Sequence, residues 1–286
     1  MISPHAILLV RCPDRPGLVA AISGFLFAHG ANILDFDQHT AADEGVYFTR
    51  LEFQTDALDV PLAALAERFE AEVARPFGMR WRLARTTDRR RIAVLASRAD
   101  HALLEILWAA RRGDLRGDVV AVISNHDALA PAVEGFGVPF HHVPNAADRR
   151  AEAEREMSRI FADAGADLVV LARYMQIVSP DLVSAWPERM INIHHSFLPA
   201  FAGADPYRQA FDRGVKIVGA TAHYVTAALD QGPIIDQDVA RVSHRHDVED
   251  LKRLGRDLER RVLARAVRWH CEDRILVFGN KTIVFE

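Results

Sequence analysis

Five short runs rich in valine, isoleucine and leucine govern what this chain can fold into. They are "RIAVLAS" (91–97), "DVVAVIS" (118–124), "PFHHV" (139–143), "DLVVLAR" (167–173) and "RMINIHH" (189–195). Most lack the in–out alternation of a strand with one wet face, so both faces must be buried. Helical patterns separate them, among them "HALLEILWAARRG" (101–113) and "AEAEREMSRIFADAG" (151–165). Strands of this kind alternating with helices predict an α/β domain: a Rossmann-like, mostly parallel sheet with helices on both faces. In such sheets ligands bind outside the carboxyl ends of the strands. "NIHH", at the end of one run, therefore sits where chemistry is expected.

The first 84 residues carry a different pattern. "HAILLVRC" (5–12) reads as a buried strand ending in the turn "PDRPG", and Leu18, Ile22, Phe25, Leu26 and His29 then fall at helical spacing. Gly30 stands where a left-handed helix end is needed. "ANILDFDQHT" (31–40) and "GVYFTRLEF" (45–53) predict a hairpin about "AADEG", "PLAALAERFEAEVAR" a second helix, and "MRWRLAR" a closing strand. The order is βαββαβ, the ferredoxin-like arrangement. The polar stretch "RTTDRRR" at 85–91 then reads as a linker, dividing the chain into domains at 1–84 and 92–286. Near the C-terminus "DVEDLKRLGRDLERRVLARAVRWH" predicts a long helix, followed by two short strands about Gly279 and Asn280.

Several classes of function are disfavoured. A formal net charge of −4 gives no general attraction to a phosphate backbone, and Arg89, Arg90 and Arg91 read as a solvated linker, so no nucleic-acid partner is expected. Cys12 and Cys271 are too few and too far apart for a disulfide framework. No apolar run approaches the roughly 18 residues of a membrane span, and the first residues lack the basic start of a targeting segment. A soluble cytoplasmic protein, unattached to membranes, is the expectation.

Strand alternation places Asn192 and His194 on one face and turns His195 away, which argues against a His194–His195 chelate. It weakens His141–His142 as a metal pair in the same way, and the 13 histidines form no zinc pattern, so no metal is expected. A second segment, "GATAHYVTAALDQGPII" (219–235), runs from a strand into a loop holding Asp230 just before Gly232 and Pro233. A carboxylate beside a strand-end histidine could hold the imidazole protonated or orient a water, and the Asn192 amide could donate to an oxyanion. No serine stands in a nucleophile elbow and neither cysteine lies near, so water or an outside amine would attack. Each of the three also has an ordinary explanation as a loop cap, a satisfied core histidine or a turn residue, and the residues alone leave both readings open.

"INIHHSFLPAF…PYRQAF", "GATAHYV" and "LDQGPII" together resemble the folate-dependent formyltransferase fold, over residues 91 to about 286. The resemblance implies that Asn192, His194 and Asp230 are the catalytic trio. It also implies that Tyr174, Met175, Gln176 and Ile177 of "LARYMQIV", with Val225 and Leu229, contact the folate. Many relatives carry arginine where this chain has Gln176. His195, where the transferases usually have proline, and the wording "GATAHYV" and "GNKTIVF" resemble one branch, the formyltetrahydrofolate deformylases. That likeness implies hydrolysis of 10-formyltetrahydrofolate to tetrahydrofolate and formate, with formate passing to purine synthesis, no cofactor, and His195 shaping the water site. "LASRADHALL" lacks the glycines with which the glycinamide ribonucleotide transferases cradle a phosphate, and no further C-terminal domain of the tRNA-formylating kind is evident.

Residues 6–84 resemble an ACT domain through "PDRPGLVAAI" and "GANILD". This likeness implies regulation by an amino acid, for which glycine or methionine are sensible effectors, at Asp14, Gly17 and Asn32. It also implies a homo-oligomer formed by edge-to-edge pairing.

Overall fold

The computed structural model describes residues 4–198 and 206–286. The chain divides into two compact units, the first comprising Met1–Arg89 with Glu272–Leu276 and Ile283–Glu286, the second Arg90–Cys271 with Val277–Thr282.

In the first unit, strands β1 (His5–Pro13), β2 (Asn32–Ala41), β3 (Val46–Gln54) and β4 (Arg80–Arg85) form a sheet ordered β2-β3-β1-β4. Every neighbouring pair runs antiparallel, with Leu8 opposite Leu51 on one side and Leu83 on the other. Helix α1 (Leu18–Ala28) closes at Gly30, whose φ of 78° supplies the left-handed end that the sequence calls for. Helix α2 (Leu62–Phe69) does not stop there: it passes through a π-helical stretch, Glu70–Ala74, into Arg75–Phe77. Ile22 and Leu26 of α1 meet Leu8, Leu51, Leu65 and Phe69 in one core. This is the expected βαββαβ order.

The second unit is built on a seven-stranded sheet. Its strands are β5 (Arg90–Ala96), β6 (Gly117–Ser124), β7 (Phe140–His142), β8 (Leu168–Ala172), β9 (Met190–His194), β10 (Ile217–Tyr224) and β11 (Ile234–Arg241), ordered β11-β10-β9-β8-β5-β6-β7. The five strands from β5 to β9 pair in parallel, and β10 and β11 are added antiparallel at one edge. All five residues of β8 are buried, as its unbroken apolar run requires. Helices α3 (His101–Arg112), α4 (Arg150–Asp163) and α5 (Val248–Cys271) accompany the sheet. The short pair β12 (Ile275–Phe278) and β13 (Lys281–Val284) turns at Gly279, as predicted.

The structure departs from the sequence-based expectations at several places. The expected linker 85–91 is shorter, because Arg85 still pairs in β4 and Arg90 already pairs in β5. Arg91 is exposed, as a solvated residue should be, but it is also anchored: its guanidinium donates to the carbonyls of Ala164 and Gly165 just after α4. Residues beyond 271, expected in the second domain, are shared between the units. Strand β11 was not anticipated.

Candidate active site

Strand β9 delivers Asn192 and His194 to the carboxyl end of the sheet, between β8 and β10. In the antiparallel pairing of β10 against β9, His223 stands opposite Asn192 and Thr221 opposite His194. After Tyr224 the chain makes a compact loop and returns at Pro233, whose carbonyl accepts from the Tyr224 amide at 2.9 Å. Gly232 makes this return possible, since a Cβ there would lie 1.7 Å from the Tyr224 carbonyl oxygen. The loop holds Asp230 at a φ of 53°, a left-handed conformation that aspartate tolerates better than most residues.

Asp230 is thereby placed between two imidazoles. Its Oδ2 is 3.3 Å from His194 Nδ1 and its Oδ1 is 3.7 Å from His223 Nε2. Hydrogen bonding from His194 and His223 outweighs the cost of burial and holds the Asp230 carboxyl well below the ordinary carboxylate range. His223 Nδ1 lies 2.9 Å from the Tyr224 carbonyl, which can only accept, so Nδ1 carries a proton. Its Nε2 lies 3.3 Å from the Asn192 amide nitrogen and 3.7 Å from Asp230 Oδ1, between the two groups. His194 Nε2 is buried and has no hydrogen-bond partner among the described residues. An unmatched buried ring nitrogen of this kind is costly until a ligand atom meets it.

The sequence reading turns His195 away from Asn192 and His194, and here the structure differs. Pairing of β9 ends at His194, so strand alternation lapses one residue later and His195 enters a bend. His195 lines the same cavity, its ring 5.2 Å from that of His194. Burial, followed by the charge of Arg173, pushes the His195 imidazole down to about 4, so the ring is neutral at neutral pH.

The cavity has a volume of about 250 Å³, and its lining includes Asn192, His194, His195 and Asp230. All six residues expected to meet a folate also line it: Tyr174, Met175, Gln176, Ile177, Val225 and Leu229. Met175, Ile177 and Leu229 are 58%, 53% and 61% exposed, an unusual convergence of bare apolar side chains on one opening. Tyr174 is buried and accepts from Asn145 Nδ2 at 2.9 Å, while the Met175 amide donates to Ser97 Oγ at 3.1 Å, so this wall is anchored from below. Two cavity residues, His223 and Arg173, were given no role by the sequence reading. His223 stands in "GATAHYV" two residues beyond Thr221, but only the pairing of β10 with β9 sets it against Asn192.

In the first unit, Asp14, Gly17 and Asn32 are all exposed. The Asp14 amide donates to the Gly45 carbonyl at 2.8 Å, Gly17 opens α1 at a φ of 95°, and Asn32 Nδ2 donates to Gln54 Oε1 at 2.9 Å.

Comparison with known proteins agrees with this division. The family model described as Formyl transferase matches residues 90–267, and that described as ACT domain matches residues 6–70. A formyltetrahydrofolate deformylase of Mycobacterium tuberculosis is 53% identical over 97% of this chain and 90% of its own length. The enzyme of that name from Bacillus subtilis is 50% identical over 97% and 93%. The crystal structure of a formyltetrahydrofolate deformylase from Pseudomonas syringae superimposes with a TM-score of 0.97 at 45% identity, covering 99% of this chain and 95% of the other.

Proposed function

The chain belongs to the formyltetrahydrofolate deformylase family and hydrolyses 10-formyltetrahydrofolate to tetrahydrofolate and formate, and we propose that Asn192, His194 and Asp230 carry the reaction. The observation that supports this assignment is the orientation of His194. Its Nδ1 faces Asp230 at 3.3 Å, while its Nε2 has no partner among the described residues, in a cavity it shares with Asn192. An oxyanion forming from the formyl oxygen would meet both donors. Water, positioned by Asp230 and by the neutral ring of His195, attacks the formyl carbon. The bond from that carbon to N10 then breaks, N10 takes one of the water's two protons, the other is released to solvent, and formate leaves.

A carboxylate held as low as that of Asp230 is a weak proton acceptor, so orienting the water is the larger part of its role at first. As negative charge develops on the oxyanion, His194 is drawn toward it and the proton affinity of Asp230 rises. The base therefore strengthens as the reaction proceeds.

The cavity is smaller than the roughly 300–1,000 Å³ of sites that enclose a whole drug-sized ligand. It suits the pterin and formyl end of the folate, with Met175, Ile177 and Leu229 around the opening; Gln176 is half-buried in the same wall. We assign no cofactor and no metal to the reaction. A cytoplasmic homo-oligomer, passing formate to purine synthesis and balancing the one-carbon pool, completes the proposal. The ACT domain would sense glycine or methionine at Asp14, Gly17 and Asn32. Among the described residues no helix is long and apolar enough to cross a membrane.

The test of the reaction is formate release from 10-formyltetrahydrofolate with no amine acceptor present. Stoichiometric formate is expected. Transfer to an added amine with no formate in its absence would overturn the hydrolytic mechanism.

A further inference from the structure

Behind His195 lies a group of polar side chains that the mechanism above does not use. Glu259, on α5, is 1% exposed, and its carboxylate is met by His101 Nε2 at 2.7 Å and by the Tyr207 hydroxyl at 2.8 Å. Arg173 completes the group, with its Nε 3.4 Å from Glu259 Oε2. That distance is an ion pair but not a hydrogen bond: Nε and Nη1 of Arg173 are buried and have no hydrogen-bond partner among the described residues. Glu259 thus balances the charge of Arg173 while leaving much of its donor capacity unmatched. The Tyr207 ring lies 6.2 Å from that of His195, and Arg173 lines the cavity, which puts the guanidinium on the His195 side of the site.

The backbone points the same way. Arg173 follows the last residue of β8 with a φ of 62°, a left-handed conformation that long side chains rarely adopt and that concentrates at functional positions. Among the described residues that line the cavity, only Asp230 shares this feature.

Hydrolysis, unlike transfer to an amine, creates an anion. A carbon–oxygen bond to water forms, the bond to N10 breaks, one of the water's two protons passes to N10, and the other is released to solvent as formate leaves. Transfer to an amine would yield a neutral amide. We propose that Arg173 forms a carboxylate subsite in the His195 side of the cavity, which receives formate. This rests on the hydrolytic reading given above. A planar guanidinium whose Nε and Nη1 donors no described residue takes up is the side chain best matched to a small carboxylate, and the same charge disfavours a protonated amine at that place.

Binding of 13C-formate to the unligated protein, read by its line broadening at constant ionic strength against chloride, tests the subsite without turnover. Formate binding is expected in the native protein, weakened about tenfold to a hundredfold in Arg173→Met, the loss of one or two charge-assisted hydrogen bonds. Product inhibition by formate should weaken in parallel. Equal formate affinity in Arg173→Met, or no formate binding to the native protein, would overturn the subsite. Should Arg173→Met not fold, Arg173→Lys replaces it, and formate affinity within twofold of native there also counts against the proposal. Absent formate release by the native protein would instead overturn the hydrolytic mechanism, so the two failures are distinct.

Discussion

Asp230→Asn is the substitution that most directly tests the mechanism. Asparagine is nearly isosteric and tolerates the left-handed backbone found at position 230, so the loop from Val225 to Pro233 should keep its course. What changes is charge. Coulomb's law over the 3.3 Å between Asp230 and His194, at an effective dielectric constant of about 20, gives a gross attraction of about 5 kcal/mol. Without that anion His194 Nδ1 loses its partner, and the water loses its acceptor. A positioned acid or base contributes about 10²–10⁴-fold, so kcat should fall by that factor, equivalent to about 3–5 kcal/mol of barrier. The apolar rim of Met175, Ile177 and Leu229 is untouched, so KM should stay within about threefold. Steady-state formate release, with circular dichroism and melting temperature as controls for folding, decides the matter. A correctly folded variant with kcat within tenfold of native would remove Asp230 from the chemistry.

Two further substitutions probe the surroundings. His195 is pushed from 6.5 down to about 4, so between those pH values the unfolded chain binds a proton that the folded one does not. Stability should therefore fall by up to about 3 kcal/mol as pH drops through that window, and His195→Gln should flatten the slope; parallel melting curves for the two proteins would refute this. Asp230, held below its ordinary range, loses its own contribution only at more acid pH, so it does not confuse the measurement. Gly255→Ala reverses the usual sign for a helix interior, where alanine gains about 1 kcal/mol over glycine. A Cβ there would stand 1.9 Å from the Tyr207 hydroxyl, so this variant should melt lower than native, and a higher melting temperature would count against the packing described.

The fold was legible where periodicity and burial coincide. Parallel strands such as β8 are buried on both faces and need unbroken apolar runs, which is what the sequence shows. β11 escaped because its sequence, "IIDQDVAR", mixes charges into an edge strand with few buried positions. That Asn192 and His194 meet in one cavity was legible because they share a strand face. His195 was misplaced for a physical reason: alternation holds only while the ladder continues, and the ladder stops at His194. His223 needed knowledge that no single strand carries, namely that β10 runs antiparallel to β9 in the register that sets it against Asn192.

Glu259 marks the limit of single-sequence reading most clearly. In "RDLERR" it looks like one more charge on the wet face of a long helix, yet it is among the most buried charged groups described. Its burial depends on His101, Arg173 and Tyr207, three residues from separate parts of the chain that converge only in the folded second unit. One local trace of this arrangement does exist. Gly255 lies four residues before Glu259, and positions four apart stack on one helix face. The missing side chain at 255 admits the Tyr207 ring, and the carboxylate one turn later accepts its hydroxyl. A glycine retained inside a 24-residue helix, where it costs stability, is therefore best understood as the opening through which the helix takes part in the site.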